Sequence, residues 1–158
     1  MVARMKLFSR CAAVALVLAA GALAGAEGEP RASKPEVRRA VVAVVEGQLA
    51  AFRAGDLRQA YGYASVNLRA QKPLRTFAAI VRESYPEIWA NTRAEFGLVR
   101  DDGAEATLLV HVFSAAGDAP YDYTLVKEPK GWRIAAVLRH APKRNDTVLI
   151  NFTGWKQS

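Results

Sequence analysis

The chain is poor in the residues on which most small-protein chemistry depends. It has one cysteine, Cys11, and two histidines, His111 and His140, in 158 residues. A lone thiol excludes a disulfide framework. Two isolated histidines without cysteines give no zinc site. There is no glycine-rich phosphate loop, no internal repeat and no low-complexity tract. The uncharged stretch Cys11–Ala26 falls short of the ~20 apolar residues that span a bilayer and is rich in Ala and Gly. The composition itself is ordinary, 51% hydrophobic and 23% charged, which suits one globular domain and not a disordered tail.

The charge is less ordinary: 22 Lys+Arg against 15 Asp+Glu, a net +7. Part of it lies outside the expected fold. Arg4, Lys6 and Arg10 precede Cys11–Ala26, which ends in the small-x-small triplet Ala24-Gly25-Ala26. A basic start, an apolar middle and a cleavage triplet, in that order, make a secretory signal. Leu23-Ala24-Gly25 resembles the start of a lipoprotein signal, but Ala26 stands where the lipid-bearing cysteine is needed. Residues 1–26 are therefore expected to be a signal peptide cleaved after Ala26, giving a soluble periplasmic or secreted product with no stable membrane anchor. Cleavage removes three basic residues and the cysteine, leaving 132 residues of net charge +4.

Residues 27–33 have no apolar period and read as a flexible leader. Ser33-Lys34-Pro35-Glu36 then reads as a capping box with proline in the first turn. Val37, Val41, Val45, Leu49 and Phe52 follow at helical spacing. Gly47 interrupts that helix at a cost of ~1 kcal/mol relative to Ala, so close packing is expected there. Gly55 suits a left-handed stop, and Asp56-Leu57-Arg58-Gln59 starts a second helix at once. Ser65–Arg75 reads as loop or a broken turn, and Thr76 as the cap of a third helix carrying Phe77, Ile80 and Val81, which Pro86 ends or kinks.

After about Asn91 the period changes to alternation. Strands are expected over Arg93–Arg100, Glu105–Phe113, Tyr121–Lys127 and Trp132–His140. The turns between them are Asp101-Asp102-Gly103, Ala116-Gly117-Asp118 and Pro129-Lys130-Gly131. In the last strand Trp132, Ile134, Ala136 and Leu138 form one face. Residues 143–158 form a C-terminal extension, in which Thr147–Phe152 fits an extra strand. Helices followed by an antiparallel meander define an α+β class with N-terminal helices packed on a curved sheet, the domain running over 34–142.

That order, with its sharp Gly55-Asp56 turn, resembles the cone-like fold of nuclear transport factor 2 and ketosteroid isomerase. Gln48–Asp56 with Ala60-Tyr61 is similar to the opening of a bacterial exported domain-of-unknown-function family in that superfamily. So are Tyr63-Ala64-Ser65, Leu68-Arg69, Phe77, Val81-Arg82, Tyr85-Pro86, Trp89, Tyr121-Asp122-Tyr123 and Gly131-Trp132-Arg133-Ile134. Val66 stands where that pattern has proline. The resemblance covers roughly residues 37–140 and implies a fold and an exported setting. It implies no activity, because the family has none assigned and its superfamily holds enzymes, binders and adaptors alike.

Chemistry in such a cone needs groups that project inward. His111 shares a strand face with Thr107, Leu109 and Phe113 and is the candidate acid/base. His140 reads as a solvated strand end beside Arg139. Asp122 alternates with Tyr121 and Tyr123 and cannot share their face, so no paired acid and base emerges. Tyr61, Trp89, His111 and Tyr121 are the candidate pocket residues; the competing reading of the aromatics is plain core. No cofactor or metal is implied, and export argues against nucleic acid. The expected function is a non-catalytic ligand-binding or protein-interaction module that takes a small apolar ligand or pairs with itself through the outer sheet face. The alternative is a small cofactor-independent isomerase, lyase or hydrolase acting on an apolar ligand, with His111 as its acid/base.

Overall fold

The computed structural model describes residues 30–141. The signal segment, the cleavage point and the C-terminal extension with its expected extra strand lie outside them. Five helices, α1 (Pro35–Arg53), α2 (Leu57–Gly62), α3 (Val66–Gln71), α4 (Leu74–Ser84) and α5 (Pro86–Trp89), cover one face of a sheet. The sheet holds β1 (Arg31–Ala32), β2 (Asn91–Asp101), β3 (Glu105–Ser114), β4 (Gly117–Glu128) and β5 (Gly131–Arg139). All neighbours are antiparallel and the spatial order is the chain order. The α+β class with helices on a curved antiparallel sheet is as expected.

The helices form where the sequence places apolar stripes and stops. Val41, Val45, Gln48, Leu49 and Phe52 of α1 are buried at successive turns. Gly55 takes φ +70 and ends the run. Asp56 caps α2, its carboxylate accepting from the Gln59 amide at 2.9 Å. Gly47 has the expected close neighbour: a Cβ there would stand 2.4 Å from the Tyr63 hydroxyl oxygen and 2.5 Å from Cζ. Tyr63 crosses α1 at the one position without a side chain.

Three starts differ from expectation. Arg31 and Ala32, inside the expected leader, pair with Asp101 and Arg100. The Ser33 amide continues this pairing by donating to the Val99 carbonyl at 3.0 Å. Ser33 is therefore drawn toward the sheet edge, and Lys34, without a side-chain cap, precedes the helix. Residues 66–71, inside the expected loop, form α3 because the Ser65 hydroxyl accepts from the Leu68 amide at 3.1 Å. Helix α4 begins at Leu74, ahead of Thr76, because Pro73 fixes the extended entry and its carbonyl accepts from Phe77. Val66 occupies the first position of α3, where proline is favoured. Its amide does what proline cannot, donating to the Glu128 carboxylate at 2.8 Å and tying α3 to β4.

The inner sheet face is apolar by strict alternation. Ala106, Leu108, Val110 and Val112 of β3 and Ala119, Tyr121, Tyr123 and Leu125 of β4 are buried. Asp122 points outward, as expected. Three register shifts break the alternation and bend the sheet; the first is at the start of β2, where Thr92 is the extra residue between the Asn91↔Ser114 and Arg93↔Phe113 pairs. In β2, Gly97 and Leu98 stand between the Phe96↔Val110 and Val99↔Leu108 pairs, and Leu98 is pushed out. In β5, Ala135 is the extra residue between the Ile134↔Leu125 and Ala136↔Thr124 pairs. That single step reverses parity. Val137 packs on the core, and Leu138, expected on the same face as Trp132 and Ile134, is 64% exposed.

Asn91 locks the layers where the helices hand over to the sheet. Its Nδ2 donates to the Leu49 and Ile88 carbonyls at 3.0 and 2.8 Å, and its Oδ1 accepts from Arg53 at 2.6 Å.

Candidate functional site

An apolar cleft of about 200 Å³ opens between the helical layer and β5. Its walls come from three elements whose apolar stripes converge: Phe52 from α1, Phe77, Ile80 and Val81 from α4, and Ile134 and Val137 from β5. Val137 takes part only because the Ala135 bulge reverses the parity of β5. Leu68 and Ile88 complete the apolar lining.

Three lining residues carry polar atoms. Gln48 is buried, and its Nε2 donates to the Ala60 carbonyl at 3.3 Å. No described residue donates to its Oε1. Tyr85 shows its ring to the cleft while its hydroxyl donates to the Val137 carbonyl at 3.0 Å. Lys72, exposed at the C-terminal end of α3, stands on the rim. Among the described residues, no carboxylate and no histidine lines the cleft.

Beside it lies a polar cluster of a different kind. Glu87 of α5 is only 7% exposed. Its carboxylate accepts from the Tyr121 hydroxyl at 2.6 Å and from Arg139 through both oxygens at 2.6 and 2.7 Å. Burial pushes the Glu87 carboxyl up, but the hydrogen bonds from Arg139 and Tyr121 outweigh it and hold the group below its ordinary value of 4.5. Burial, and then the Glu87 carboxylate, push the Tyr121 hydroxyl well above the usual phenol range. Tyr123 is pushed up by burial, and its hydroxyl has no partner among the described residues. This cluster is a closed structural junction between α5, β4 and β5.

The structure does not bring the four sequence candidates together in the cleft. Tyr61 is outside the lining, its ring 5.3 Å from Phe77 and its one hydroxyl proton shared between the Arg69 and Lys72 carbonyls, each 2.9 Å away. Trp89 packs 6.0 Å from Phe52 under the Arg82 guanidinium. Tyr121 is fully buried in the Glu87 cluster. His111 lies on the outer sheet face, because its strand neighbours Val110 and Val112 are the buried ones; its ring sits 4.7 Å from that of Phe113. Sequence reasoning missed Gln48, Lys72 and Tyr85. A signal existed for Gln48: it is the one polar residue on the Val41–Val45–Phe52 stripe.

Among the described residues, no group of three or more His, Cys, Asp or Glu is placed to hold a metal ion, and no helix is long and apolar enough to cross a membrane. Fold and cleft together define a small α+β domain with an open apolar recess between its helices and its sheet. The chain belongs to the family described as a domain of unknown function (DUF4864), whose model matches residues 34–147. No curated protein and no solved structure is significantly similar to it.

Proposed function

We propose that the protein is an exported binding module of the nuclear-transport-factor-2-like superfamily that holds a small apolar ligand in the cleft and performs no reaction on it. The observation that carries the reading is the cleft: converging apolar walls left open, where burying ligand surface contributes roughly 25 cal/mol per Å². The helix, Gly-Asp turn, helix and antiparallel-sheet order supports the superfamily. The basic start, apolar stretch and Ala24-Gly25-Ala26 triplet support export to the periplasm or the medium.

Titration with 1-octanol tests the binding. It raises the melting temperature of the protein, and Ile80→Trp, which fills the cleft, removes the rise. An unchanged melting temperature in the parent protein overturns the reading. N-terminal sequencing of the protein from the cell envelope begins at Glu27; an intact Met1 there overturns export. The enzymatic alternative requires an acid/base at the ligand, and His111, its candidate, faces away from the cleft.

A second reading concerns the outer sheet face as a homodimer surface. Leu98, Leu109 and Leu138 are 56%, 40% and 64% exposed there, more apolar surface than that face needs for folding. Sedimentation at micromolar concentration shows a dimer if this face pairs, and a monomer throughout overturns it.

A further inference from the structure

We infer that the ligand of the cleft is an apolar carboxylic acid, held tail inward with its carboxylate at Lys72. This rests on the ligand-binding reading above and adds the chemical class and the orientation. Size sets the first limit. A cavity of about 200 Å³ exceeds the ~150 Å³ apolar cavity known to take benzene, which leaves room for roughly eight to ten ligand heavy atoms.

Interior polarity sets the second. The deep wall is hydrocarbon apart from Gln48. Gln48 engages one N–H with the Ala60 carbonyl. A carboxylate inside so largely hydrocarbon a wall would lose its hydration with at most one amide to compensate. The interior therefore takes the chain and excludes the head.

The rim sets the third. Lys72 is exposed and has no ion-pair partner among the described residues. It sits in a basic stretch: residues 66–84, which hold α3 and α4, contain Arg69, Lys72, Arg75 and Arg82 against Glu83 alone. The Arg69 and Lys72 carbonyl oxygens at the end of α3 share the one proton of the Tyr61 hydroxyl, which turns them toward that ring. An anionic head emerging from the cleft meets a cation; an amine would meet repulsion.

Calorimetric titration of the full chain with octanoate, 1-octanol and octylamine tests this. NMR of the Gln48 side-chain amide reports entry into the cleft. Octanoate binds about 3- to 5-fold more tightly than octanol, the range of an exposed ion pair. The advantage shrinks with added salt. Lys72→Gln abolishes it, bringing octanoate down to the affinity of octanol. Octanol binding as tightly as octanoate, or Lys72→Gln weakening both alike, overturns the acid assignment while the ligand-binding reading stands. If no probe shifts the Gln48 amide, both fall.

Discussion

Two polar groups of the helical layer, Glu87 and Gln48, are equally buried and treated in opposite ways. Glu87 has its carboxylate bonded by Tyr121 and by both contacts of Arg139. Gln48 lines the cleft and engages one partner, the Ala60 carbonyl, leaving its second N–H and its oxygen without a partner among the described residues. A closed buried network fixes structure, because every partner it loses exposes a desolvation cost. A buried group left half-paired at the edge of a recess is instead available to something that enters. The difference separates the part of this protein that holds the fold from the part that can bind.

The largest test of that contrast is Glu87→Ala. It removes three charge-assisted hydrogen bonds and leaves the Tyr121 hydroxyl buried without an acceptor. Unfolding by urea is expected to show a loss of about 3 kcal/mol. Removing Gln48's amide by Gln48→Met should cost less than half as much and make apolar ligands bind more tightly; equal costs would erase the distinction. The closed cluster also has a pH signature. The folded Glu87 carboxyl lies below its ordinary value, so its stabilisation is complete above the unfolded carboxylate's value. It drains away as pH falls through that value toward the lower folded one. The stability gap between the parent protein and Glu87→Gln should therefore be widest at neutral pH and narrow on acidification. A gap that widens in acid contradicts the junction.

Packing gives a middle-sized effect. Gly47→Ala adds a methyl 2.4 Å from the Tyr63 hydroxyl oxygen. Overpacking of about 1–3 kcal/mol exceeds the ~1 kcal/mol that alanine gains in a helix. The variant should melt lower, and Tyr63→Leu in the same chain should restore it. The tyrosine pair gives the smallest effect and the sharpest sign. Tyr121→Phe should cost about 1–2 kcal/mol, because its hydroxyl meets a carboxylate. Tyr123→Phe should be neutral or stabilising by up to about 1 kcal/mol, because its buried hydroxyl has no described partner. Equal losses in the two would show that Tyr123 is paired after all.

Much of this was legible beforehand, and the misses share a cause. Gly55 and Asp56 marked the helix break, and the turns at Gly103, Gly117 and Gly131 all take positive φ, at 96°, 125° and 113°. The alternation of Tyr121, Asp122 and Tyr123 gave the correct faces. Ser33 failed as a cap because β2, distant in the chain, drew its amide to the Val99 carbonyl. The face of Leu138 was wrong because a bulge set by pairing with β4 reversed the register. His111, Tyr61, Trp89 and Tyr121 have the amphipathic character of pocket residues, but character does not say on which side of a wall a ring will lie.

The sequence by itself determined the class of fold, the succession of helices and then a meander of four strands, and the places where those strands turn. Those depend on residues within a few positions of each other, through period, caps and backbone conformation. Only the tertiary structure decided that Val137 and not Leu138 lines the cleft, that Gln48 faces it, that Lys72 guards its rim and that Glu87 is closed off beside it. These depend on which distant surfaces meet and in what register, and one extra residue in one strand is enough to exchange the inside for the outside.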